Sequence, residues 1–261
     1  VTIQEAIDQV IRQIPGAPLA ETLDTVKCGD SSQPLRGIVS TFMATRAVLD
    51  QAVALGANLV ITHEPTYYNH QDETGWLKED AVFLAKRAFL EKHQLVVWRC
   101  HDYWHLFQPD GIVTGVIRSL GWEKSLDPHL ANVYQLDPMS LESLVALMKQ
   151  RMGIQTVRLV GNPKMTCRRV ALLVGAYGGR RQIELLRQPG VDVIAVGESP
   201  EWETCEYVRD AIAAGENKAF IVLGHANSEE AGMEYLAEWL QPQLPGIPIH
   251  YVRAGDPFTF L

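Results

Sequence analysis

Asn58-Leu59-Val60-Ile61-Thr62-His63-Glu64-Pro65 is the stretch that decides the fold. Its apolar centre is short and β-branched, which reads as a strand buried on both faces and ending in polar residues. A helical period runs before it over residues 44–55 and stops at Gly56. Another runs after it over 77–92, with charges on the outer side. Working outward, buried strands are predicted at 37–42, 95–100, 169–174, 191–196 and 219–223, with shorter ones at 157–160 and 247–252. Helices are predicted at 3–11, 111–120, 140–152, 180–186, 201–214 and 228–240. Strands alternating with helices predict an α/β protein whose mainly parallel sheets are covered on both faces. Residues 121–137 hold Gly, Pro and Asp without a clear period, so the expected lobes are 1–125 and 126–261.

Composition bounds the function. The chain has 261 residues, 47% apolar and 21% charged, enough apolar surface for a large core and too much for disorder. With 23 basic and 31 acidic side chains, the net charge of −8 disfavours nucleic acid and anionic membranes as partners. Cys28, Cys100, Cys167 and Cys205 form no CxxC pair and are expected to be reduced thiols. The N-terminal residues 1–15 read as an amphipathic helix and not as a signal peptide, and no apolar run reaches the ~20 residues of a membrane span. The expected location is the cytoplasm.

Ligands of parallel sheets gather beyond the carboxyl ends of the strands. There this chain places His63-Glu64, then His101-Asp102-Tyr103-Trp104-His105, then Glu198, and finally His225 with Glu229 four residues on. Imidazole and carboxylate together suit Zn, Fe, Mn, Co or Ni, and a mixed set of this size can hold two ions. Each piece also has a structural reading. Glu229 and Glu230 suit a positive helix N-terminus, Asn227 can cap that helix, and His101 or His105 can be a packed core residue. Convergence at one end of the strands favours the metal site. Glu198, Asp102 and His101 are the candidate general acids or bases. Gly175, Gly178, Gly179 and Arg180 follow a strand and open a helix, a candidate anion cradle whose alternative is a plain turn.

The ordered set resembles the NIF-three-like family, dinuclear-metal proteins often labelled GTP cyclohydrolase I type 2 homologues. The resemblance rests on Ile61-Thr62-His63-Glu64-Pro65, where the family has His-His-Pro, and on His101 with a ligand four residues later. It also rests on Gly224-His225-Ala226-Asn227-Ser228-Glu229, on Val196-Gly197-Glu198 and on residues 157–179. It implies metal ligands at His63, Glu64, His105, His225 and Glu229, with His101 close by. Glu64 stands where the family has a second histidine, and His105 where it has an aspartate, so one imidazole and one carboxylate trade places. It further implies two similar three-layer lobes with two divalent transition metals in the cleft between them, and a homo-oligomeric, hexameric ring. The function expected is metal-dependent hydrolysis of a small molecule, a nucleotide or cyclic amide. The alternative is a non-catalytic metal-binding, metal-handling or interaction scaffold protein.

Overall fold

The structure, a computed structural model, describes residues 1–261. In chain order the elements are α1 (Ile3–Arg12), β1 (Val26–Cys28), β2 (Ile38–Thr41), α2 (Arg46–Ala54), β3 (Leu59–Thr62), α3 (Ala81–Lys92), β4 (Val96–Arg99), α4 (Asp102–Leu106), α5 (Gly111–Leu120) and β5 (Val133–Ser140). They continue with α6 (Leu141–Met152), β6 (Arg158–Val160), β7 (Thr166–Leu173), α7 (Gly179–Leu186), β8 (Val193–Val196), α8 (Glu206–Ala213), β9 (Ala219–Val222), α9 (His225–Leu240) and β10 (Ile249–Tyr251). The strands build two five-stranded sheets, ordered β1-β4-β3-β2-β10 and β5-β7-β8-β9-β6.

In the first sheet β10, β2, β3 and β4 run parallel, and β1 is an antiparallel edge on β4. The strands β2, β3 and β4 are buried at every position, as continuous apolar runs demand of a sheet covered on both faces. Val39, Val60 and Val97 pack there with Leu49, Phe83 and Leu90 of the helices. Local chemistry fixes where those helices begin. Thr2 and Glu5 form a reciprocal capping box on α1. Asp80 accepts from the backbone N–H groups of Val82 and Phe83, so α3 starts at Ala81 and the expected continuous helix from residue 77 is instead a 3₁₀ turn, Gly75–Leu77, followed by α3.

In the second sheet β7, β8 and β9 run parallel, with β5 and β6 as antiparallel edges. Its core joins Val133, Ala171, Leu173, Ile194 and Phe220 to Leu186 and Val208. Two further expectations shift. The helix expected over 201–214 opens with a π-helical turn, Glu201–Cys205, before α8, and the helix expected from residue 228 begins at His225.

Compact units do not follow sequence order. One is Val1–Gly115 with Gly232–Ala254, the other Val116–Ala231 with Gly255–Leu261. Sequence order placed the last strand in the second lobe, but β10 pairs with β2 of the first sheet. The stretch 121–137, expected to separate the lobes, lies inside the second unit and carries the start of β5. No helix is long and apolar enough to cross a membrane.

Candidate metal centre

In the first unit, parallel β3 and β4 end side by side, with Thr62 opposite Arg99. His63 follows β3 directly, His101 comes two residues after the end of β4, and His105 is one turn further along α4. The imidazoles of His63 and His101 stack at 4.5 Å between centroids, and His105 stands edge-on at 5.0 Å from His63 and 4.9 Å from His101. Their nitrogens lie within 4.8 Å of one another. His63 is fully buried.

Carboxylates fix the orientation of two of these rings. Nδ1 of His101 lies 2.9 Å from Asp102 Oδ1, and Nδ1 of His105 lies 2.8 Å from Asp110 Oδ2. An N–H held at Nδ1 makes Nε2 the lone-pair nitrogen, as in metal-ligating histidines whose other ring nitrogen donates to a carboxylate. Asp102 is itself anchored, accepting from Thr22 Oγ1 at 2.7 Å and from the Leu23 N–H at 3.2 Å. Burial raises the Asp102 carboxyl, but the hydrogen bonds from His101, Thr22 and Leu23 outweigh it and bring it below its ordinary range. Buried Asp24 accepts from the backbone N–H groups of His101 and Tyr103 at 2.9 and 2.7 Å, which fixes the turn entering α4. Its carboxyl is pushed up by burial, against the pull of those hydrogen bonds.

Arg99, fully buried, backs the loop after β3. Its Nε donates to the His63 carbonyl at 3.2 Å, another nitrogen donates to the His70 carbonyl, and a third lies 3.8 Å from Glu64 Oε2. The two exchanged positions therefore have distinct supports: Glu64 faces a guanidinium, and His105 faces Asp110. His70 joins the rim, its ring 6.0 Å from that of His101.

In the second unit, Glu198 follows β8 and His225 opens α9 after β9. Glu198 Oε1 lies 2.6 Å from His225 Nδ1, and His225 Nε2 lies 3.1 Å from Glu229 Oε2. Glu229 is nearly buried, at 3% exposure. The buried side chain of Gln182 ties this pair to the sheet edge. Its Nε2 donates to the Tyr177 and Glu198 carbonyls, both at 2.8 Å, and its Oε1 accepts from Thr204 Oγ1 at 2.6 Å. Gly175 adopts φ +73 and passes so close to Glu229 that a Cβ there would stand 2.3 Å from Oε1.

The glycine loop after β7 is engaged by its own chain. Gly178 caps α7, and the Gly179 N–H donates to Glu203 Oε2 at 2.7 Å, so a carboxylate of this protein sits at that helix N-terminus. Arg180 points into solvent and pairs with Glu184 at 2.9 Å. Asp110, Asp24, Arg99, Gln182 and Glu203 were not among the residues expected from sequence. Only Asp110 carries a local signal, as an aspartate just before the helix at Gly111.

A profile of the Duf34/NIF3 (NGG1p interacting factor 3) family matches residues 2–256. The chain is 23% identical over 270 residues to a GTP cyclohydrolase 1 type 2 homolog of Clostridium perfringens, covering 98% of each. Among solved structures, it superimposes on a Bacillus cereus protein related to NIF3 with a TM-score of 0.81, at 16% identity, covering 100% of this chain and 99% of that one. A Staphylococcus aureus hypothetical protein gives 0.78 at 18% identity, with the same coverage. At these identities the solved structures establish a shared fold.

Proposed function

Because the chain belongs to the Duf34/NIF3 family, we propose that it binds two divalent transition metals and uses them to hydrolyse a small molecule, a nucleotide or a cyclic amide. The observation that carries this reading is the three-histidine cluster with carboxylates on two of its Nδ1 atoms. The donor set fits a Zn, Fe, Mn, Co or Ni ion, since imidazole nitrogen suits all of them and oriented Nε2 atoms need no rearrangement of tautomer. His63, His101 and His105, with Glu64, form one donor set, and His225 with Glu229 forms the other. Bound divalent ions would supply Lewis acidity toward an oxygen of water or substrate.

The protein's own groups have separate roles in this proposal. Asp102, Asp110 and Glu198 each hold an imidazole Nδ1 and so orient that ring, and Glu198, Asp102 and His101 stand as the candidate general acids or bases. Four free cysteines fit a reducing compartment such as the cytoplasm. A homo-oligomer, hexameric as the family resemblance implies, completes the reading.

Elemental analysis of the purified protein, then calorimetric titration of chelated protein with Zn²⁺ and Mn²⁺, tests it. Two ions per chain are expected, with the stoichiometry lowered in His101→Ala and in Glu229→Gln. No bound metal after equilibration, and no change of melting temperature with chelator, overturns it. Metal-dependent turnover on a panel of nucleotides and cyclic amides tests the hydrolase step, and metal binding without turnover of any of them assigns a metal-handling role instead.

A further inference from the structure

A groove of ≈ 830 Å³ lies in the first unit, bounded by the start of α2, the loop after β3 and the outer side of α3. That volume suits a small organic ligand. Glu64 and His70 line it, so it reaches the rim of the histidine cluster. Met43, Pro65, Val82 and Tyr68 give its lining an apolar part.

Tyr68 is unusual in two ways. It is 53% exposed, and its backbone sits at φ +62, a conformation costly for a bulky side chain. The loop around it is held firmly. Asn69 Nδ2 donates to the carbonyls of Tyr67 and Glu73 at 3.0 and 2.8 Å, the Glu73 N–H donates back to Asn69 Oδ1, and the Tyr67 N–H donates to Asp72 Oδ1 at 2.6 Å. A strained aromatic on a fixed loop is a preorganised surface for a flat partner.

The groove also holds charge. Lys86 Nζ donates to the Thr66 carbonyl at 2.6 Å and stands 5.4 Å from the Tyr68 ring centroid. Arg46 is committed to Asp50 and to the Phe89 ring, which leaves Lys86 as the cation for a ligand. Thr66 adds a buried hydroxyl with no hydrogen-bond partner.

We propose that this groove binds a planar aromatic or heteroaromatic small molecule bearing an anionic group, with its ring on Tyr68, its anion on Lys86 and its reacting end toward Glu64 and His70. Only the last clause rests on the metal-centre reading. Burial lowers the Lys86 ammonium to about 8, and an anion beside it offsets that burial.

Calorimetry on metal-free and metal-loaded protein, with AMP, adenosine and ribose 5-phosphate as probes, separates ring from anion. AMP is expected to bind at least about tenfold more tightly than either fragment. Tyr68→Ala should remove its advantage over ribose 5-phosphate, and Lys86→Gln its advantage over adenosine. Val82→Glu, at a position 65% exposed and therefore safe for folding, should abolish AMP binding by placing a like charge in the groove. AMP binding no better than its fragments, or unchanged in all three variants, overturns the proposal. AMP selectivity in a chain that takes up no metal leaves the groove standing and removes the metal reading. Metal uptake without AMP selectivity does the reverse.

Discussion

Nδ1 of His105 lies 2.8 Å from Oδ2 of Asp110, and Oδ1 of the same carboxylate accepts the Val113 N–H at 3.0 Å at the start of α5. One side chain thus caps a helix and orients an imidazole. Asp110→Asn keeps the cap, because asparagine caps as well as aspartate, but offers one oxygen for two jobs. The expected outcome is a fall of about 10–100-fold in Zn²⁺ affinity by calorimetry, with thermal stability of the metal-free protein nearly unchanged. Equal affinity in the variant would remove Asp110 from the centre.

Gly175 and Glu229 offer a steric counterpart in the second unit. A Cβ at residue 175 requires both a left-handed φ of +73 and a clash with Glu229 Oε1. Gly175→Ala should therefore cost about 1–3 kcal/mol in denaturant unfolding and weaken metal uptake, because Glu229 must move. Gly178→Ala is the control: nothing lies within 4 Å of its Cβ, so it should lose only the N-cap difference between glycine and alanine, up to about 1 kcal/mol, and leave metal uptake intact.

The histidines were legible because buried strands are continuous apolar runs, and the residues after them are marked by position alone. What escaped was non-local or irregular. β5 contains Pro138, which cannot donate to a ladder, and its pairing with β7 shifts register between Gln135 and Met139. Only Val133 and Tyr134 of that strand are buried, so no period of two appears. β10 was readable as a strand, but its partner β2 lies some two hundred residues away, and local pattern carries no partner. Asp102 and Glu198 could be picked out as carboxylates near histidines. That each occupies an Nδ1 required coordinates. Arg99 and Gln182 look like ordinary polar residues until their burial is known.

Trp104, between His101 at the N-cap of α4 and His105 within it, locks that short helix in place. Its indole N–H donates to the Gly232 carbonyl at 3.0 Å, and Gly111 lies against its face, where a Cβ would stand 2.2 Å from Cε2. Gly111→Ala must displace the indole, and with it His101 and His105. A loss of about 1–3 kcal/mol is expected, together with reduced metal affinity. Destabilisation with metal affinity intact would show that α4 holds its register without the indole.

Lys86 gives a pH signature distinct from the histidines. Burial lowers its ammonium from 10.5 to about 8, so between those values the unfolded chain holds more protons than the folded one. Stability then rises with pH across that window, and the charged form is a cost below it. Asp72 and Cys28 also face Lys86, and burial raises the Cys28 thiol. Lys86→Met removes the ammonium and keeps the aliphatic stem. From pH 7.5 to 9.0 the wild type should gain about 1 kcal/mol relative to the variant in urea unfolding. A difference that stays flat, or that shrinks as pH rises, would show that the ammonium is fully solvated. That result would also weaken the case for an anion-seeking cation in the groove.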